Sequence, residues 1–105
     1  MLIYVYILLC RDGSFYVGLT RGSLDYRIAQ HNDGAFRGYT LSRRPVLLLW
    51  SQDFAMLTDA IAAERQLKGW SRAKKKALIA GDFELLKELS KRPSARKPPN
   101  PTSSS

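Results

Sequence analysis

The pattern that most constrains this chain lies between Ile3 and Thr20, where two apolar runs flank Arg11-Asp12-Gly13. Asp-Gly between alternating apolar runs is a strong short-range hairpin signal. In the first run the odd positions Ile3, Val5, Ile7 and Leu9 are aliphatic, and in the second Phe15, Val17 and Leu19 are apolar. Side chains alternate faces with a period of two, so both odd sets reach one core face only if odd residues pair with odd. A two-residue Asp12-Gly13 loop cannot give that register. A three-residue loop Arg11-Asp12-Gly13 can, with Gly13 in the left-handed position of a bulged turn. Tyr6 then faces Gly18, and Tyr16 lies one step along, so Tyr4, Tyr6 and Tyr16 gather beside a residue with no side chain. An aromatic ladder under a helix and a shared functional site are both compatible with that gathering.

The 105 residues suffice for one small domain with a modest core, and the 45% hydrophobic content fits a globular class. The run from Met1 to Cys10 is too short to cross a bilayer and has no basic segment before it, so neither a membrane span nor a signal peptide is expected. One cysteine excludes an intrachain disulfide, and one cysteine with one histidine argues against structural zinc. A cytoplasmic location follows as the expectation. Lys plus Arg number 17 against 9 acids, a net charge of +8, and every acid precedes residue 89. Such a balance favours polyanionic partners, nucleic acid first.

Along the chain, Ser23 is a good N-cap for a helix with Leu24, Tyr26 and Ile28 as apolar contacts and Gly34 as its stop. Arg27 and His31 stand four apart on one face of it. Residues 35–45 read as a loop carrying Arg37, Arg43 and Arg44 among Phe36 and Tyr39, a composition suited to a phosphate backbone and bases or simply to a mobile basic loop. The unbroken apolar run from Val46 to Trp50, extending to Phe54, reads as a third strand buried on both faces. Leu57 to Gly69 reads as a helix with Thr58 as N-cap. Glu64 interrupts its apolar stripe, where an acid is uncommon unless paired or coordinating. Lys68, four residues later, offers an ordinary ion pair. Ser71 caps a helix from Arg72 to Ala80 with the basic run Lys74, Lys75 and Lys76, and Asp82 can cap a last amphipathic segment through Leu89. Residues 1–89 are expected to form the domain, and the Pro- and Ser-rich basic stretch 90–105 a disordered tail.

Tyr4-Val5-Tyr6 followed by Tyr16-Val17-Gly18 resembles the paired motifs of the GIY-YIG nuclease domain, and most of all the small stand-alone bacterial YhbQ-like proteins of that superfamily. The resemblance extends from Leu2 to about Leu78 through Arg27-x-x-x-His31 and through Glu64-Arg65-Gln66-Leu67-Lys68, which matches the group's E-x-x-[IL]-K. It implies an α+β fold of order β-β-α-β-α-α, a small three-stranded antiparallel sheet with flanking helices. It also implies Tyr6, Tyr16, Arg27, His31 and Glu64 as catalytic residues, with Glu64 the single ligand of Mg²⁺ or Mn²⁺. Tyr6 would serve as general base, its pKa lowered by Arg27 or the metal. Gly18, Arg37, Arg43, Arg44, Lys68, Arg72, Lys74 and Lys75 are the candidates for contacting nucleic acid. The implied activity is endonucleolytic hydrolysis of DNA, ahead of RNA, structure-directed or non-specific, in repair or recombination, with a protein partner as a further source of specificity. Two departures stand out: Tyr4 replaces the first glycine of the motif, and no Asn follows Glu64 before Asn100. The competing readings are a nucleic-acid-binding module without chemistry and an interaction protein that uses its tail.

Overall fold

The structure, a computed structural model, describes residues 2–91. Its elements are β1 (Ile3–Leu9), β2 (Phe15–Arg21), α1 (Leu24–Asn32), a 3₁₀ turn (Leu41–Arg43), β3 (Leu47–Phe54), α2 (Leu57–Gly69), α3 (Arg72–Ala80) and α4 (Phe83–Lys91). They fall into two compact units that divide after Gly69. The fold is α+β, with the expected β-β-α-β-α-α order and one more helix, α4, at the end of the described chain.

The hairpin has the register that the alternation demands. Tyr6 pairs with Gly18, Ile7 with Val17, Leu8 with Tyr16 and Leu9 with Phe15. Gly13 adopts φ +87°, a conformation with little penalty only for glycine, and its N–H donates to the Cys10 carbonyl at 2.9 Å. Asp12 closes the turn by accepting from the Ser14 amide at 3.0 Å and the Ser14 hydroxyl at 2.6 Å.

The sheet order is β2-β1-β3, all antiparallel, which makes β1 the central strand. Ile3, Val5, Ile7 and Val17 are buried on the odd face, and α2 crosses all three strands with Ala60 and Leu67 buried. Leu19 is only half-buried, because β2 is an edge. On the even face Tyr6, Leu8 and Cys10 form a buried cluster with Val46, against which Leu24 and Ile28 of α1 and Tyr16 pack. Each fully buried Val, Leu or Ile stabilises by about 1.5–3 kcal/mol, so β1 anchors the unit.

Three expectations need correction. The doubly buried strand is β1, whereas β3 pairs only with β1 and leaves Leu47 62% exposed. A bulge causes part of this: Ile7 pairs with Trp50 and Leu8 with Leu48, so the alternation of β3 resets at Leu49. Tyr26 is exposed and adds nothing to the α1 core contacts, which come from Leu24 and Ile28. Thr58 lies within the first turn of α2, where the Ala60 amide donates to the Met56 carbonyl, so the helix begins one residue before it. The other caps are as expected, Ser23 accepting from the Tyr26 amide at 3.1 Å and Ser71 from the Lys74 amide at 3.2 Å. Asp82 accepts from the Leu85 amide at 3.1 Å and starts α4, which includes Ser90 and Lys91. The rest of the expected tail lies outside the described residues.

Candidate active site

The site forms where β1, β2 and α1 meet beneath the loop of residues 33–46. Tyr6 projects across β2 at Gly18, and this is why position 18 has no side chain. A Cβ there would stand 2.5 Å from Tyr6 Cζ, well inside contact distance. The phenol is 1% exposed and its hydroxyl lies 3.0 Å from His31 Nε2. His31 is 3% exposed, and its Nδ1 lies 3.0 Å from Thr40 Oγ1, which is equally buried. Tyr16 meets the imidazole edge-on at 5.3 Å between centroids.

Arg27, one turn before His31 on α1, reaches back toward the sheet. Its Nη1 makes a long contact of 3.5 Å with the Leu19 carbonyl of β2, and its guanidinium lies beside the Tyr6 phenol. Glu64 of α2 is near enough for its charge to be felt at Tyr6. The structure therefore brings Tyr6, Tyr16, Arg27 and His31 together, with Glu64 within electrostatic reach of them.

Why does the loop close over these residues? Asn32, at the end of α1, grips Val46 from both sides, donating to its carbonyl at 3.1 Å and accepting from its amide at 2.7 Å. The Arg11 amide at the hairpin turn donates to the Arg43 carbonyl at 2.9 Å. Between these two fastenings Phe36 packs on His31 at 4.7 Å, with the Arg27 guanidinium 4.9 Å above its ring. Tyr39 stacks on Tyr16 at 6.1 Å and carries the Arg43 guanidinium 3.9 Å over its ring. Arg43 in turn pairs with Asp12 at 2.9 Å. The roof of the site is thus strapped to the hairpin by an ion pair, a backbone hydrogen bond and the Tyr39–Tyr16 stack.

The candidate basic residues divide on this evidence. Arg43 is engaged by Asp12, by Tyr39 and by the Tyr39 carbonyl at 2.9 Å. Arg44 donates to the Leu41 carbonyl at 2.8 Å and reaches the Asn32 carbonyl at 3.4 Å, at the C-terminus of α1. Both build the loop. Arg37 is exposed on its crest. Lys68 pairs with Glu64 at 3.3 Å. Arg72, Lys74 and Lys75 belong to the second unit, where Lys74 lies 5.7 Å from the Trp70 ring.

Electrostatics overturn one expectation. The Tyr6 phenol is pushed up to about 12, first by burial and then by Tyr16, with a further small push from Glu64. Arg27 opposes the shift but does not cancel it, because desolvation of a phenolate outweighs one nearby cation here. The phenol is protonated at neutral pH. Burial, then Arg27, holds His31 below the usual imidazole value, so the ring is neutral at pH 7. Arg27 is placed to donate to the phenol oxygen, and the same hydroxyl lies against His31 Nε2.

Among the described residues no group of three or more His, Cys, Asp or Glu side chains gathers in metal-binding geometry. Glu64 does suit a divalent cation that keeps most of its water. Its side chain is 21% exposed and only Oε2 is held by Lys68. Mg²⁺ characteristically takes one or two carboxylates and completes its shell with water and substrate phosphate. Thr40, Phe36 and Tyr39 entered the site without a local sequence signature. Phe36 and Tyr39 were visible only as aromatics among arginines, and nothing marked Thr40.

Comparison with known proteins agrees with this architecture. The sequence model of the GIY-YIG catalytic domain matches residues 2–77. A UPF0213 protein from Streptococcus pneumoniae serotype 4 is 42% identical over 77 residues, covering 73% of this chain and 77% of that protein. One from Lacticaseibacillus paracasei is 45% identical over 76 residues, covering 72% and 84%. The solution structure of a UPF0213 protein from Bacillus halodurans superposes with a TM-score of 0.51 at 38% identity, spanning 88% of this chain and 100% of that one. That of a protein from E. faecalis gives 0.54 at 31% identity, with 92% and 95% covered. No helix among the described residues is long and apolar enough to cross a membrane. The chain belongs to the GIY-YIG nuclease domain family and, within it, to the group of small UPF0213, YhbQ-like proteins.

Proposed function

We propose that this protein is an endonuclease that hydrolyses phosphodiester bonds in DNA with the help of a divalent metal, Mg²⁺ or Mn²⁺, in repair or recombination. The observation that carries this reading is the convergence of Tyr6, His31 and Arg27 at interaction distance, with the carboxylate of Glu64 in electrostatic reach. A purely structural aromatic cluster needs neither a buried neutral imidazole on the phenol nor a guanidinium beside it.

In this reading Glu64 holds the cation, which when bound supplies charge stabilisation to the leaving oxygen. Arg27 holds the non-bridging oxygens of the phosphate as negative charge grows on them. A phenol near 12 is too weak an acid to stand as phenolate at neutral pH, so Tyr6 acts as a relay. It accepts a proton from the attacking water while passing its own hydroxyl proton to His31 Nε2. The hydroxide so formed attacks phosphorus, the bond to the leaving oxygen breaks, and the imidazolium later returns its proton to solvent. Arg27 favours this transfer by stabilising negative charge on the Tyr6 oxygen. Tyr16 and the Phe36–Tyr39 roof keep bulk water from the relay.

Arg37 in the first unit and, separately, Arg72, Lys74 and Lys75 in the second are proposed contacts to the nucleic-acid backbone, and residues 90–105 add further cations. Residues 1–89 are the domain in this proposal. In this reading a protein partner supplies specificity. The second reading, a binding module without chemistry, draws on the Glu64–Lys68 pair, which gives the acid a non-catalytic occupation. Cleavage of labelled branched, nicked and single-stranded DNA and RNA, with Mg²⁺ or Mn²⁺ and with chelator, separates the two. Metal-dependent product supports the nuclease. Binding with no product on any substrate or metal leaves the binding module.

A further inference from the structure

We propose that Thr40 is a positioning residue that fixes the tautomer of His31, its hydroxyl accepting the Nδ1 proton so that the bare Nε2 faces the Tyr6 hydroxyl. The inference rests on the nuclease reading for its catalytic consequence, but the tautomer itself is a property of the resting protein. Side chains from both strands of the hairpin, from α1 and from the loop surround the imidazole. Tyr6 comes from β1, Tyr16 from β2, Arg27 from α1, and Phe36 and Thr40 from the loop.

Of these only Tyr6 and Thr40 are hydrogen-bonded to the ring, each at 3.0 Å and one on each nitrogen. A neutral imidazole has one donor and one acceptor, so two arrangements are conceivable. In the first, Nδ1–H donates to Thr40 and Nε2 accepts from Tyr6. In the second, Thr40 donates to Nδ1 and Nε2–H donates to Tyr6. Arg27 decides between them. The guanidinium is a donor with no accepting capacity and lies beside the Tyr6 oxygen, where it competes with a second donor for that oxygen's lone pairs. The first arrangement leaves the phenol proton free for Nε2 and is the one that a relay requires.

Thr40 is 3% exposed, and a buried hydroxyl is costly unless it is bonded. Its backbone is held as well, the carbonyl accepting from the Arg43 amide at 3.1 Å, within the loop strapped to the hairpin by Asp12 and Arg43. Turning the hydroxyl away from His31 would leave it buried without this partner. A buried carbonyl or carboxylate usually orients a relay imidazole, and here a hydroxyl on a strapped loop takes that place.

The test compares the wild type with Thr40→Val and Thr40→Ser. Valine keeps the shape and removes the hydroxyl, while serine restores it. ¹⁵N chemical shifts of the His31 ring, measured without substrate above the imidazole's titration, report which nitrogen carries the proton. The expected result is Nδ1–H in the wild type and in Thr40→Ser, and a shift toward Nε2–H in Thr40→Val. On a cleavable DNA substrate kcat should fall by about tenfold or more in Thr40→Val with KM changed far less, the size expected for losing one oriented hydrogen bond. Thr40→Ser should recover most of it. The acid limb of the kcat profile should lie below the ordinary imidazole value in the wild type and move in Thr40→Val. An Nε2–H ring in the wild type overturns the proposal even if Thr40→Val does not fold. So does an unchanged tautomer in a folded Thr40→Val, or a changed tautomer with unchanged kcat. Absence of all cleavage by the wild type would refute the nuclease reading, and the catalytic role with it, while the ring shifts would still decide the tautomer.

Discussion

Gly18→Ala is the substitution whose consequences the geometry defines most closely. Alanine adds one carbon, and that carbon would meet Tyr6 Cζ at 2.5 Å and Cε1 at 2.7 Å, where ordinary contact begins at 3.4 Å. The ring must retreat by about 1 Å. It cannot do so freely, because Tyr6 is 1% exposed and packed among Leu8, Cys10 and Val46. A displacement of that size moves the hydroxyl off its 3.0 Å position against His31 Nε2 and spoils the geometry of that hydrogen bond. Overpacking of this kind costs about 1–3 kcal/mol, and each kcal/mol lowers the midpoint of a domain this size by about 4–8 °C. Leaving Nε2 of a buried imidazole without its partner adds cost in the same range. The assay is urea unfolding of the full chain alongside a cleavage rate. Gly69→Ala is the control, since a Cβ there meets nothing within 4 Å and should be neutral or slightly stabilising. A Gly18→Ala protein within about 0.5 kcal/mol of wild type, with an intact Tyr6–His31 bond and full cleavage, would refute the reasoning.

Two further outcomes follow from the site's electrostatics and its strap. The Tyr6 phenol should still be protonated at pH 10.5, read from its ring ¹³Cζ shift, since burial raises it to about 12. Folding raises this pKa, so the stability it contributes is whole below pH 10 and is lost as pH rises through 12, a total of about 2–3 kcal/mol; a phenolate signal by pH 9 would contradict this. Asp12→Asn should remove the anchor of Arg43 and speed amide exchange across residues 36–43 while leaving the hairpin register intact, and unchanged exchange there would show that the ring column holds without the ion pair.

Much of the scaffold was legible because local and tertiary demands coincide in it. Aliphatic residues at odd positions on both sides of Arg11-Asp12-Gly13 allow one register, and that register alone seats Tyr6 opposite Gly18. Arg27 and His31 share a helix face, so recognising α1 placed them together. What escaped was set by context. Whether an apolar run lies in the middle of a sheet or at its edge depends on partners that the run does not encode, and the bulge at Leu49 removed the alternation that would have marked β3 as half exposed. The direction of the Tyr6 shift depended on burial outweighing Arg27, a balance of magnitudes that no spacing reveals. Thr40 reaches His31 from nine positions further along, in a loop whose course is set by Asn32, Asp12 and ring packing, so no sequence interval announces it.

The central claim, that this small domain cleaves nucleic acid through a metal held by Glu64, is tested most directly by Glu64→Gln. Glutamine keeps the size and one acceptor and removes the charge. If Glu64 serves only as partner to the half-exposed Lys68, the change costs under about 0.5 kcal/mol and leaves nucleic-acid handling alone. The measurement is a pair, cleavage rate and DNA affinity for both proteins across a Mg²⁺ titration. The account predicts that cleavage collapses by orders of magnitude while affinity holds or tightens, because one negative charge near the phosphate is gone. Cleavage by Glu64→Gln at the wild-type rate, with the same Mg²⁺ dependence, would contradict it.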